Sequence, residues 1–162
     1  MREINISPTA FEKFVLEMLS KEFQKYDNCI IEHNKKIEAH DGSYKIDGYI
    51  EYDVMGIAYK TLLECKLHND SIKRERVEIL YSRIRSCGAH KGILISSSNF
   101  QSGAIEFANA HGIALIQISP EESSKPRLVT NVKRRVLHTS GGLRAVLLAG
   151  DVSENRTDNR TK

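Results

Sequence analysis

Within the run Leu62-Leu63-Glu64-Cys65-Lys66-Leu67, a carboxylate and an ammonium stand two residues apart. Alternation along a strand sends Leu63, Cys65 and Leu67 to one face and Glu64 and Lys66 to the other, so that one face is core and the other carries the charged pair. If the preceding turn is a tight one centred on Met55-Gly56, antiparallel partners are residues whose numbers add to 111, and Asp47 lies opposite Glu64. Cross-strand partners have Cβ atoms ~4.5 to 5.5 Å apart, and two carboxylates so placed repel each other unless something positive sits between them. Mg²⁺ suits that position, because it takes oxygen ligands, keeps several waters, and is typically held by one or two carboxylates plus phosphate oxygens. Such an ion polarises a phosphoryl group and lowers the pKa of a bound water, while a neighbouring ammonium orients the hydroxide or neutralises charge in the transition state. Asp47, Glu64 and Lys66 are thus a candidate set for hydrolysing a phosphodiester, with Mn²⁺ expected to substitute for Mg²⁺. A bare acidic-x-Lys triplet arises about twice by chance in such a chain and is as readily an exposed ion pair; the second acid in register and the glycine turn separate the two readings.

The elements that must position these residues are readable in outline. Ser7 and Pro8 open a helix over 8–25 with an apolar stripe of Phe11, Phe14, Val15, Met18, Leu19 and Phe23. Strands are expected at Cys29–Glu38, Tyr44–Asp53 and Ile57–His68, with turns at Gly42 and Gly56. A second helix starts near Ser71, buries Val77, Leu80, Tyr81 and Ile84, and stops at Gly88. Gly92–Ser96 is a short buried strand; Asn99 is expected to cap a helix running through Ala110 to Gly112, and Ile113–Ile118 is a last buried strand. The order α-β-β-β-α-β-α-β predicts an α/β fold with a mixed central sheet flanked by helices in three layers. After Pro120 the pattern weakens, with a hairpin expected around Thr139–Gly142 and a disordered tail from Asp151 to Lys162.

The order of elements, Phe11-Glu12 in the first helix, Asp47-Gly48 on one strand, Leu63-Glu64-Cys65-Lys66 on the next, and Gly92-Ile93-Leu94-Ile95-Ser96-Ser97-Ser98-Asn99-Phe100 leading into a helix with Ala104 and Ala108 resemble the PD-(D/E)xK nuclease superfamily. The likeness spans about Pro8 to Ile118 and is strongest to the Mrr-type restriction endonuclease domain. It implies a restriction-endonuclease-like fold and Mg²⁺-dependent cleavage of DNA, with Asp47 and Glu64 as metal ligands, Lys66 near the nucleophilic water, and Glu12 as the first-helix acid that reaches the site. A restriction or DNA-processing enzyme is the expectation, DNA the partner, and a homodimer the form in which such small nucleases often cut duplex. A Holliday-junction-type resolvase would share this core, as would a non-cleaving nucleic-acid-binding or assembly module. Ile46 stands where the namesake proline would precede the aspartate. Many relatives place a glutamine near the site from the helix after the E-x-K strand, whereas here Lys73, Arg74 and Arg76 occupy that neighbourhood, followed by Arg83 and Arg85. Those cations either track a phosphate backbone or, interleaved with Glu75 and Glu78, form a solvated face. His68 and the serines at 96 to 98 are read the same two ways, as groups near substrate or as strand-end, cap and turn residues.

Length and composition bound the rest. At 162 residues, 40% hydrophobic and 28% charged, the chain is one globular domain with a core of its own. No apolar run approaches the ~18 to 20 residues of a membrane span, and the N-terminus lacks a secretory apolar segment, so a cytoplasmic setting without membrane partners is expected. Cys29, Cys65 and Cys87 offer neither a disulfide framework nor a zinc site, and no motif asks for an organic cofactor. Residues 1–120 carry 15 Lys and Arg against 16 Asp and Glu, while 121–162 carry 9 against 5. The expected division is therefore a catalytic body over 1–120, a basic extension over 121–150 and the tail. Between Ser123 and Gly150 six basic residues, Lys125, Arg127, Lys133, Arg134, Arg135 and Arg144, have no acidic neighbour, a pattern that suits a polyanion or a solvated surface. If Lys133, Arg134 and Arg135 touch phosphates, log affinity for DNA falls with log salt at a slope of about -2.7, and neutralising all three removes that amount. A salt titration of binding by the triple alanine variant checks this, and an unaltered slope returns the stretch to plain surface.

Overall fold

The computed structural model describes residues 6–118 and 129–130 in full and 127–128, 133–137 and 145–149 as backbone. The expected tail over 151–162, and with it Lys125 and Arg144, lies outside the described residues, as do the side chains of Arg127, Lys133, Arg134 and Arg135. Helix α1 spans Pro8–Phe23, capped by Ser7, whose Oγ accepts the Ala10 N–H at 3.1 Å, and Pro8 fills the first turn, where its missing N–H costs nothing. It ends two residues earlier than its apolar pattern suggests, because Tyr26 N–H turns back onto the Phe23 carbonyl. Strands β1 (Asp27–Ala39), β2 (Gly42–Val54) and β3 (Ile57–Lys66) form an antiparallel meander. Helix α2 (Arg74–Ser86) leads to β4 (Lys91–Ser96), parallel to β3, and α3 (Ser102–His111) leads to β5 (Ala114–Gln117), parallel to β4. The short β6 (Arg127–Leu128) then pairs antiparallel with β5, so one mixed sheet runs β1-β2-β3-β4-β5-β6. Beyond it β7 (Lys133–Leu137) and β8 (Ala145–Ala149) pair antiparallel, the two arms of the expected hairpin.

Apolar side chains alternate across this sheet into two cores. On one face Phe11, Val15 and Leu19 of α1 cover Ile50, Leu63, Ile93, Ile95 and Ile116; on the other Val77, Leu80 and Ile84 of α2 and Ala104 and Ala108 of α3 cover Leu62, Leu94 and Leu115. Leu62 and Leu63 are thus neighbours in sequence and fully buried on opposite sides. The expectation of one core face and one solvated face on β3 is corrected here, since crossover helices cover both faces. Glu64 consequently lies beneath α2 and is buried, not displayed to solvent. Among the described residues no helix is long and apolar enough to cross a membrane.

The register of β2 on β3 sets the position of the site. Met55 and Gly56 take φ of 55° and 79°, the two positive values that a two-residue hairpin turn demands. Pairing then runs from Val54↔Ile57 to Gly48↔Leu63, every pair adding to 111. A stack of Tyr26 on Tyr52 and of Tyr52 on its cross-strand partner Tyr59, centroids 4.7 and 5.8 Å apart, packs the turn end of the ladder. The ladder stops one residue short of the site, so Asp47 and Glu64 are not a ladder pair. Gly48 and Ile50 face α1, but Ile46 joins the core beneath α2, which means that β2 turns over as it passes through Asp47 and leaves β3.

The expected cap of α3 is also corrected. Asn99 does not cap it; Ile72 N–H donates to the Asn99 carbonyl and Gln101 N–H to that of Ile72, an extended contact that holds residues 99–101 out of the helix and leaves Gln101 as N-cap. Asn99 Oδ1 instead accepts from Gln117 Nε2 at 3.0 Å. Gly112, with φ of 65°, ends the helix as expected.

Helix α1 packs tightly on the sheet at Gly48. A Cβ there would stand 2.7 Å from Leu16 Cδ2 and 3.0 Å from Leu63 Cβ. Overpacking of this kind costs about 1–3 kcal/mol, so Gly48→Val should lower unfolding stability by that amount in a urea titration. A variant as stable as the parent would show that the contact yields easily.

Candidate active site

Glu64 projects from β3 toward α2 with both carboxylate oxygens engaged. Lys66 Nζ stands 2.5 Å from Oε1, and Arg83 Nη1, from the last turn of α2, donates to Oε2 at 2.8 Å. A buried carboxylate needs such partners, since an uncompensated charge in the interior costs several kcal/mol. Asp47 sits where β2 leaves β3, and its Oδ2 accepts the backbone N–H of Cys65 at 2.9 Å. That side chain takes an N–H lying beyond the last ladder pair, which fixes its carboxylate against β3. Glu12 comes down from α1 and meets His33 of β1, Oε2 to Nε2 2.7 Å, with both groups mostly buried.

Cys65 reports how these groups gather. Its thiol is pushed far up, first by burial and then by the carboxylates of Asp47, Glu12 and Glu64, with Lys66 acting in the opposite sense. Asp47 from β2 and Glu12 from α1 thus both act on a thiol whose chain neighbours are Glu64 and Lys66. The thiol itself stays protonated and is no candidate nucleophile.

The nucleic-acid candidates on α2 lie apart from this cluster, in and before its first turn. Lys73 is the N-cap residue, and Lys73 and Arg76 are exposed without an ion pair among the described residues. Arg74 is exposed as well, donating to Glu78 Oε1 at 2.6 Å and lying over the Phe107 ring. The side chains of Lys133, Arg134 and Arg135 lie outside the described residues. The serines are turn residues: Ser97 Oγ accepts the His68 N–H and donates to its carbonyl, while Ser98 Oγ donates to the Asp70 carbonyl. This ties the loop after β3 to the end of β4, and His68 is exposed there, beyond the strand.

Two residues at the site were not singled out from sequence. His33 pairs with Gly48, next to Asp47, because β1 and β2 follow their own constant sum of 81 from Ala39↔Gly42. The turn arithmetic applied to β2 and β3 would have placed it. Arg83 belongs by sequence with the cations of α2, yet it follows Leu80 and precedes Ile84 on the inward stripe. The contact from this helix is made by Arg83 at its end, not by the cations at its start.

The donor chemistry fits a hard divalent cation. Asp47 and Glu64 offer oxygens only, and one or two carboxylates suffice for Mg²⁺, which keeps several waters. Among the described residues no three His, Cys, Asp or Glu side chains converge as a ready-made cage.

No curated protein matches the chain. Among solved structures, AF1548, a protein of unknown function, superposes with a TM-score of 0.57 at 18% identity, over 67% of this chain and 57% of that one. The DNA modification-dependent restriction endonuclease AspBHI gives 0.43 at 15% identity, over 71% and 36%. The MspJI restriction endonuclease in complex with a 27-mer oligonucleotide gives 0.45 at 16%, over 66% and 25%. The chain thus spans from a quarter to little more than half of these proteins, and at such identities the first likeness concerns fold alone. The sequence itself goes further: residues 4–119 match the Mrr_cat model, described as restriction endonuclease, and the chain belongs to that restriction endonuclease family.

Proposed function

We propose that this chain is a Mg²⁺-dependent DNA endonuclease that hydrolyses phosphodiester bonds as a restriction or DNA-processing enzyme. The observation that carries the reading is that Asp47 Oδ2 accepts the N–H of Cys65, the residue between Glu64 and Lys66, in a member of the restriction endonuclease family. Asp47 and Glu64 would hold the ion, which supplies Lewis-acid activation of the phosphate and a water of lowered pKa. Lys66 then has two roles open to its ammonium, orienting the attacking water and balancing charge on the phosphorane-like transition state. Asp47 is held for its part by the Cys65 N–H, and Glu12 by His33, so neither carboxylate has to be ordered when substrate arrives.

In the same reading residues 1–120 are the catalytic body, and Lys73, Arg74 and Arg76 with Lys133, Arg134 and Arg135 of the extension contact the DNA backbone. A homodimer would bring two such sites to the two strands of a duplex. Mn²⁺ should replace Mg²⁺.

Purified protein incubated with plasmid, linear, methylated and branched DNA should cut at least one of them with Mg²⁺ or Mn²⁺ and none with EDTA. Glu64→Gln keeps the shape of the buried side chain but removes its charge, and Lys66→Ala removes the ammonium. Each should lower the cleavage rate by about 10²-fold or more while circular dichroism stays that of the parent. Undiminished cutting by either variant would assign the activity to another group or to a contaminant.

A further inference from the structure

Glu64 has a lysine on one oxygen and an arginine on the other. Two cations thereby do for one buried carboxylate what a divalent ion would do. We propose that Arg83 competes with the divalent cation for Glu64, so that the Arg83–Glu64 pair and metal binding are alternatives; the inference rests on the nuclease reading above.

A dication on a Glu64 oxygen, at ~2.1 Å, would stand within a few ångströms of both the ammonium and the guanidinium. Like charges that close in a part-buried site repel too strongly for all three to remain. Lys66 reaches Glu64 from two residues along the same strand, with a side chain 21% exposed. Arg83 reaches in from a helix on a long side chain that is 27% exposed, so it has solvent to move into. A guanidinium is weakly hydrated and matches a pair of phosphate oxygens with its planar fork. Arg83 is therefore a positioning residue: it holds Glu64 in place while the cation is absent, and a DNA phosphate gives it somewhere to go when the cation arrives. DNA and metal then favour each other's binding, each by the same factor.

The test is calorimetric titration of the full chain with Mn²⁺ in the absence of DNA, comparing Arg83→Gln with the parent. Competition predicts that the variant binds Mn²⁺ more tightly, by about tenfold. It also predicts a metal-free melting temperature below the parent's, with the gap closing as Mn²⁺ is added. A residue that merely propped Glu64 would act in the opposite direction, its loss loosening the ligand and weakening Mn²⁺. Equal or weaker binding by the variant, with clear binding by the parent, overturns the competition and leaves the nuclease reading in place. No Mn²⁺ binding by either protein overturns both. Should Arg83→Gln fail to fold, the parent alone decides: the Nη–H resonances of Arg83, slowed in rotation by the ion pair, must broaden on addition of Mg²⁺, and resonances unchanged at saturating Mg²⁺ refute the displacement.

Discussion

A carboxylate buried under a helix needs a counter-charge, and much of the site follows from satisfying Glu64. The sheet is covered on both faces, so Glu64 on its central strand has little solvent to turn to. Lys66 answers from the same strand and Arg83 from α2, and together they hold Glu64 in a fixed orientation between two cores. The same logic extends outward. Asp47 satisfies an N–H that the separating strands leave behind, and His33 satisfies Glu12 where α1 meets β1. Each acid has a partner on an element other than its own, Glu64 on α2, Asp47 on β3 and Glu12 on β1, so the site is assembled by the tertiary fold.

Much of this was legible because it rests on short-range geometry. The helical stripe of α1, the glycine at the 55–56 turn and the alternation of β3 each express a period that the backbone enforces, and they brought Asp47, Glu64 and Lys66 into one neighbourhood. The order of elements was legible for the same reason, as each crossover helix is announced by a change of period from two to near four.

What escaped was set by events between elements. Nothing in the sequence around Asp47 says that β2 turns over there, so the expected face-to-face pair became a carboxylate bound to main chain. Asn99 has the chemistry of a cap, but Ile72 claims its backbone first. The solvated face expected on β3 was lost to α2, and Arg83 escaped because a lone cation on an apolar stripe is read as surface unless its buried partner is known.

The two-residue turn at Met55 and Gly56 acts as a ruler for the lineage of this chain. Strand periodicity is two, so gaining or losing one residue on one arm beside this turn would exchange the faces of β3, sending Glu64 and Lys66 into the α1 core and Leu63 and Cys65 toward α2. Loops that do not set this register are free of that arithmetic. Length variation among relatives of this chain should therefore spare the 55–56 turn and collect elsewhere, making the hairpin a fixed mark from which the position of the site can be counted.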